Sequence, residues 1–289
     1  MKKIRIVSPG KAIESKHIDF AEGYLRSKGF DVSVGIYAKG SYNYFSGTDA
    51  ERHLDMQEAL DAQDVDAIIC SRGGYGAVRI VDKLDFRRFL RYPKLLFGFS
   101  DITVFHNRMN RMGYESVHST APLNFEENTE EALQSLVNVV EGIENAYKIP
   151  AHSLNKSGEV KEKIVGGNLS VLCSLLGTDD ELKTKGKILF IEDIGEAVYS
   201  VDRMMWQLKK AGKLKGLSGL IVGSFTNVKD SEKPFGKSAE EVISDAVEEY
   251  DYPICFNFPA GHLNDNRAII LGKDAQLSVT DSGSSFTQK

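Results

Sequence analysis

Ser100 stands in the stretch LLFGFSDIT, Leu95 to Thr103, between an apolar run and the start of a helical pattern. A serine hydroxyl attacks a carbonyl only when a base takes its proton and the backbone holds it in the open, and a strand-to-helix turn provides that exposure. Gly98 relieves crowding on the strand side, and a helix beginning near Asp101 aims free backbone N–H groups at the place where an oxyanion would form. The pattern is G-x-S-D rather than the hydrolase G-x-S-x-G, because Ile102 occupies the second glycine position. Serine is also a preferred helix cap, so the stretch alone leaves both capping residue and nucleophile open, with capping the commoner role.

A serine nucleophile needs a base, and the chain has six histidines. His17 and His53 fall in amphipathic helical patterns that suit a solvated surface role, and His152 sits in a polar stretch. His106 lies on the helix after Ser100, pointing off along it. His118, near the end of a strand, competes for the role of base. His262 ends ICFNFPAGH and precedes the loop LNDNRA, a strand-end position that favours function over packing. A catalytic histidine in turn needs a carboxylate to fix its tautomer. ILFIEDIGE offers Glu192 at the end of an apolar strand, expected in a semi-buried site, with Asp193 and Glu196 on the turn beyond, where acids also serve as helix caps. SRGGYGAVRI sets Gly73, Gly74 and Gly76 between a buried strand and a helix, so the backbone can approach a ligand and bind an anion or oxyanion. It lacks the P-loop lysine and the G-x-G-x-x-G spacing, which disfavours a nucleotide site; a purely structural turn remains the other reading.

The elements that carry these residues follow a βαβ rhythm. IRIV, DVSVGIY, VDAIICS, KLLFGFS and ESVHST read as strands, and helices are expected around residues 14–28, from the capping box Thr48/Glu51, after Ser100 and around 129–142. Five such strands imply a doubly wound parallel sheet, whose ligands lie outside the carboxyl ends of its strands. Both SRGGYG and FSD lie at such ends. A polar segment with Pro150 reads as a linker or crossover, which puts a domain boundary near 145–160: an α/β domain over residues 1–150 containing Ser100, and a second over 151–289 containing Glu192 and His262. The second half adds strands 187–193 and 217–225, helices around 200–212 and from Ser238, and the runs AIILG and QLSVT, expected to pair as a terminal antiparallel hairpin.

Composition removes several classes of function. The 289 residues are 42% hydrophobic and 27% charged with a net charge of −5, which is ordinary for a globular chain. Without a basic run, no nucleic-acid partner is expected. No apolar run approaches the roughly 20 residues of a membrane span, and the start, MKKIRIVSPG, holds no signal-peptide core, so a cytoplasmic protein with no membrane partner is expected. Three scattered cysteines without CxxC or Cys/His spacing argue against disulfides and a zinc site, and suit a reducing compartment.

In order along the chain, VSPG, SRGGYGAVRI, GFSDIT, GGNLSVLCSLLGT, ILFIEDIGE, VDRMMWQL, GLIVGSF and FPAGH resemble the LD-carboxypeptidase family of serine peptidases, which also contains the microcin C resistance peptidases. The resemblance covers nearly the whole chain. It implies a class I amidotransferase-like, doubly wound N-terminal α/β domain with a smaller mixed α/β C-terminal domain, commonly as a homodimer. It further implies a Ser100–Glu192–His262 triad, an oxyanion hole of the Gly74 and Asp101 N–H groups, and an active site in the cleft between the domains. The implied reaction is metal- and cofactor-free hydrolysis of the L,D amide to the terminal D-alanine of a murein tetrapeptide, in peptidoglycan recycling. Arg72, Arg203 and Arg267 are candidates to hold the substrate carboxylate. A microcin-type aminoacyl nucleotide as substrate, and a non-catalytic module binding a small anion, are the rival readings.

Overall fold

The computed structural model describes residues 1–288, and its chain begins directly in a parallel sheet. The first half runs β1 (Lys3–Val7), α1 (Ser15–Ser27), β2 (Asp31–Val34), α2 (Asp49–Asp61), β3 (Ala67–Cys70), α3 (Arg87–Arg91), β4 (Leu95–Gly98), α4 (Thr103–Arg111), β5 (Ser116–His118) and α5 (Glu130–Glu141). The second half adds β6 (Asn145–Pro150), β7 (Gly158–Asn168), α6 (Leu169–Ser174), β8 (Ile188–Ile194), α7 (Val198–Lys210), β9 (Gly219–Thr226), α8 (Ala239–Val247), β10 (Ile254–Cys255), β11 (Ile269–Leu271), β12 (Asp274–Thr280) and β13 (Gly283–Gln288).

The first sheet has the order β11-β5-β4-β3-β1-β2, with β1 to β5 parallel. Alternation along each strand sends successive side chains to opposite faces. Ile4, Ile6, Ala67, Ile69 and Phe97 pack under α1 and α5, whereas Val7, Ile68, Cys70 and Leu96 pack under α2 and α4. The helices therefore cover both faces, as the near-continuous apolar strands require. The expected capping box opens α2, Thr48 Oγ1 accepting from the Glu51 N–H while Glu51 accepts from the Thr48 N–H, and Ser238 and Glu241 repeat it at α8.

The second sheet has the order β10-β9-β8-β7-β12-β13-β6. Its β7–β10 portion is parallel and lies under α6, α7 and α8, while β12, β13 and β6 are antiparallel, so the sheet is mixed. Residues 145–150 form a strand of this sheet rather than a linker, with Asn145, Tyr147 and Ile149 inward and Ala146, Lys148 and Pro150 outward. The expected terminal hairpin is also rearranged. β12 pairs with β13, whereas Ile269–Leu271 leaves the second half and pairs antiparallel with β5 at the edge of the first sheet. Its side chains divide between two cores: Ile270 joins the cluster under α1 and α5, and Ile269 and Leu271 join Phe190, Phe258 and Phe286. Burying each of these aliphatic side chains contributes about 1.5–3 kcal/mol. No helix among the described residues is long and apolar enough to cross a membrane.

Candidate active site

The turn between β4 and α4 holds Ser100 at φ 62°, one of four non-glycine residues at positive φ among those described. A left-handed conformation costs a residue with a Cβ roughly 1–2 kcal/mol, and such strain concentrates at functional sites. Ser100 makes no capping hydrogen bond to the short 3₁₀ turn (Ser100–Ile102) or to α4. The strained backbone is supported by close packing from Gly73: a Cβ there would lie 2.6 Å from Ser100 Cβ and 3.0 Å from its Oγ. The glycine-rich loop after β3 and the elbow after β4 thus touch directly.

His262 and Glu192 meet on the opposite wall. His262 Nδ1 lies 2.6 Å from Glu192 Oε2, and because an ionised carboxylate only accepts, Nδ1 carries the proton and Nε2 is left with its lone pair. Glu192, within β8 two residues before its end, is fully buried rather than semi-buried, and its Oε1 has no hydrogen-bond partner. Gly261 permits this approach, since a Cβ there would come within 2.5 Å of Ser224 Oγ and 2.8 Å of Glu192 Cβ. His262 does not end a strand: β10 stops at Cys255, and residues 256–262 run as irregular chain. The Phe99 ring, on the residue preceding Ser100, packs against the His262 ring with centroids 4.8 Å apart, which brings the serine elbow alongside the histidine–glutamate pair.

The other titratable candidates have separate roles. His118 is completely buried with both ring nitrogens unpartnered, and burial, then the neighbouring His106, hold its pKa well below the ordinary range. His106 is also buried, donates from Nε2 to the Gly98 carbonyl at 2.9 Å, and is pushed down to about 4 by burial. Asp193 turns away from Glu192 to accept from Asn168 Nδ2 and the Ser170 N–H, both at 2.9 Å, at the start of α6. Burial pushes its pKa up to about 6. Neither Asp193 nor Glu196 caps α7, whose N-terminal residue Ala197 has no side-chain cap.

His106 supplies a pH prediction. Its folded pKa lies below its unfolded one, so the unfolded chain binds more protons between about pH 6.5 and 4; the stability this represents is present above pH 6.5 and is lost as pH falls through that window. Asp55, Asp101 and Asp193 are shifted upward and give the opposite slope, so the informative quantity is a difference. His106→Gln keeps a donor for the Gly98 carbonyl. Between pH 7 and 4 it is expected to lose about 2–3 kcal/mol less stability than the unaltered chain, measured by urea unfolding.

Gly74 is exposed at φ 111°, and among the described residues its N–H has no backbone acceptor in the loop. The Asp101 N–H stands in the first turn of a helical segment, where backbone donors lack intrahelical partners. Of the arginines, Arg267 is paired twice with Asp265, at 2.8 and 2.9 Å, and covers the Tyr147 ring. Arg203 is exposed on α7, bonded to Ser200 Oγ at 3.2 Å. Arg72 donates to the Ala12 carbonyl at 3.1 Å, its Nε is buried without a partner, and no carboxylate pairs with it among the described residues. No group of three or more His, Cys, Asp or Glu side chains among the described residues could hold a metal ion.

Two contacts at the site have no periodic signal in the sequence. Thr103 Oγ1, in the first turn of α4, accepts from the Asn168 N–H at 3.0 Å, which ties the serine helix to the end of β7. Asn266 Oδ1 accepts from the Gly261 N–H at 2.9 Å and so fixes the loop that presents His262. GGN at 166–168 is one of the motifs that carry the family resemblance, and its asparagine was the available signal for the first contact.

Residues 4–119 match the LD-carboxypeptidase N-terminal domain and residues 161–277 the LD-carboxypeptidase C-terminal domain. The chain is 31% identical to the probable murein peptide carboxypeptidase of Bacillus subtilis, over 96% of this chain and 89% of that one. It is also 31% identical to the murein tetrapeptide carboxypeptidase of Pseudomonas aeruginosa, over 95% and 92% of the two chains. The crystal structure of muramoyltetrapeptide carboxypeptidase from Oxalobacter formigenes superimposes with a TM-score of 0.91 at 28% identity, covering 99% of this chain and 98% of that one. The microcin C7 self-immunity protein MccF, in complex with aspartyl sulfamoyl adenosine, shares the fold with a TM-score of 0.87 at 20% identity, covering 100% and 96%.

Proposed function

The chain belongs to the LD-carboxypeptidase family of serine peptidases, and from that premise we propose that it removes the terminal D-alanine of murein tetrapeptides through Ser100, His262 and Glu192. The observation that carries the proposal is the 2.6 Å His262–Glu192 hydrogen bond, with the residue before the strained Ser100 packed on the same imidazole.

In this reading His262 Nε2 takes the Ser100 hydroxyl proton as Oγ attacks the carbonyl of the L-centre. The tetrahedral oxyanion is held by the Gly74 and Asp101 N–H groups. His262, now imidazolium beside the buried Glu192 carboxylate, gives its proton to the departing D-alanine amine as the C–N bond breaks. A water then adds to the acyl ester with His262 again as base, and Ser100 recovers its proton as the tripeptide leaves. A cytoplasmic role in murein recycling and a homodimeric assembly complete the proposal.

Arg72 is the arginine we assign to the substrate carboxylate. Burial lowers its pKa, so an anion that pairs with it relieves a partly buried charge, and its fork suits a carboxylate. Arg72→Ala is expected to raise KM for the tetrapeptide at least tenfold with little change in kcat, and a substrate ending in D-alaninamide should gain nothing from Arg72.

The assignment is tested by incubating the protein with a murein tetrapeptide and measuring free D-alanine. Folded protein that releases none removes the substrate assignment. Turnover of an aminoacyl nucleotide in its place moves the chain to the microcin-type side of the family.

A further inference from the structure

The peptide group joining Gly76 to Ala77 is gripped on both sides by buried side chains of opposite charge. Its carbonyl accepts from Arg52 Nη1 at 3.0 Å, and its N–H donates to Asp101 Oδ2 at 2.9 Å. Arg52 comes from α2 and is 1% exposed; Asp101 directly follows Ser100 and is 5% exposed. Arg52 is itself fixed: it donates to the Pro9 carbonyl and, from Nε, to the Gly47 carbonyl at 3.3 Å, and its guanidinium covers the Phe45 ring at 4.5 Å.

We propose that Asp101, with Arg52 opposite it, is a positioning residue that locks the glycine-rich loop to the serine elbow and so sets the separation of the two oxyanion-hole donors. The proposal rests on reading the Gly74 and Asp101 N–H groups as that hole. Those donors lie on separate loops, one after β3 and one after β4. An oxyanion hole works only when its donors are fixed before charge develops. The loop carrying Gly74 has two glycines at positive φ, Gly74 at 111° and Gly76 at 138°, with exposed Tyr75 between them, so its own backbone does little to restrict it. The Asp101 carboxylate supplies the restriction. One residue thereby offers its own N–H on one side of the hole and, through its side chain, anchors the segment that offers the other. Arg52 forms its ion pair with Asp49, not Asp101, so the two buried charges act on the peptide between them and not as a direct pair.

Asp101→Ala and Asp101→Asn separate this from a general role in stability. The amide oxygen of Asn can still accept from the Ala77 N–H. Asp101→Ala is expected to lower kcat about 10–100-fold per folded molecule with KM within about twofold, and Asp101→Asn to recover kcat to within about fivefold of the unaltered enzyme. Deuterium exchange over residues 73–79 is a readout independent of turnover: Asp101→Ala should accelerate it at least tenfold, and Asp101→Asn should leave it nearly unchanged. A folded Asp101→Ala protein with unaltered kcat, or with unaltered exchange in that segment, overturns the proposal, as does Asp101→Asn behaving like Asp101→Ala. If the unaltered protein shows no turnover dependent on Ser100, the assigned function fails instead, and exchange still decides whether Asp101 anchors the loop.

Discussion

Ser100→Ala is expected to lower kcat for D-alanine release by about 10⁴-fold or more, with the thermal midpoint nearly unchanged. The rate loss follows because no other group in the turn can form the acyl bond. The fold should tolerate the change, because the Ser100 hydroxyl caps neither the 3₁₀ turn nor α4 and alanine inherits the same positive φ. Tetrapeptide should still bind, through Arg72 and the loop backbone. Measuring D-alanine release together with tetrapeptide binding makes the outcome decisive: undiminished hydrolysis removes Ser100 from the mechanism, and lost binding with a lost fold points to a structural serine.

Glu192→Gln is expected to be almost as damaging, about 10³–10⁴-fold in kcat, through a change of tautomer. With the carboxylate present, His262 Nδ1 donates to Oε2 and Nε2 is free to accept the serine proton. The glutamine amide can donate to Nδ1, which makes Nδ1 the acceptor and moves the proton to Nε2, where it blocks the base. Losing a buried negative charge also withdraws support from the imidazolium that forms during turnover. Because Glu192 is fully buried and its Oε1 has no partner, the neutral amide should be accommodated with a stability change of about 1 kcal/mol or less. The nitrogen-bound protons of His262, observed by NMR in the unaltered protein and in Glu192→Gln, report the tautomer directly. A His262 that keeps its Nδ1 proton in the variant, with activity retained, refutes the role assigned to Glu192.

Periodicity and punctuation carried the first sheet. The strands from Lys3 to His118 are short apolar runs between helical patterns, and the caps at Thr48 and Ser238 formed as their spacing predicts. Ser100, Glu192 and His262 could be singled out because each follows an apolar run closely and precedes turn residues. The burial of Glu192 was understated, because an acid next to a turn reads as half-solvated until the opposite wall is known. Strand β6 was hidden because Lys148 and Pro150 make a half-buried strand look like a linker, although Tyr147 and Ile149 keep the alternation. The destination of Ile269–Leu271 had no local signal at all: an apolar triplet does not say which of two sheets it will join. The same holds for Phe99 against His262 and for Thr103 against Asn168, contacts between segments distant in the chain.

That triplet joins the last part of the chain to the first sheet. The serine elbow is translated in the first half of the chain, and β1 to β5 can pair as soon as they emerge. The edge of their sheet stays open until Ile269–Leu271 arrives and pairs with Ser116–His118. His262 lies only a few residues before that strand, so the pairing that closes the sheet edge also draws in the loop carrying the proposed base. A chain that stops short of residue 269 lacks the strand that ties the loop of the proposed base to the first sheet. On the proposed assignment, truncation before residue 269 is expected to lower hydrolysis together with the loss of that strand pairing, measured as D-alanine release by the shortened chain.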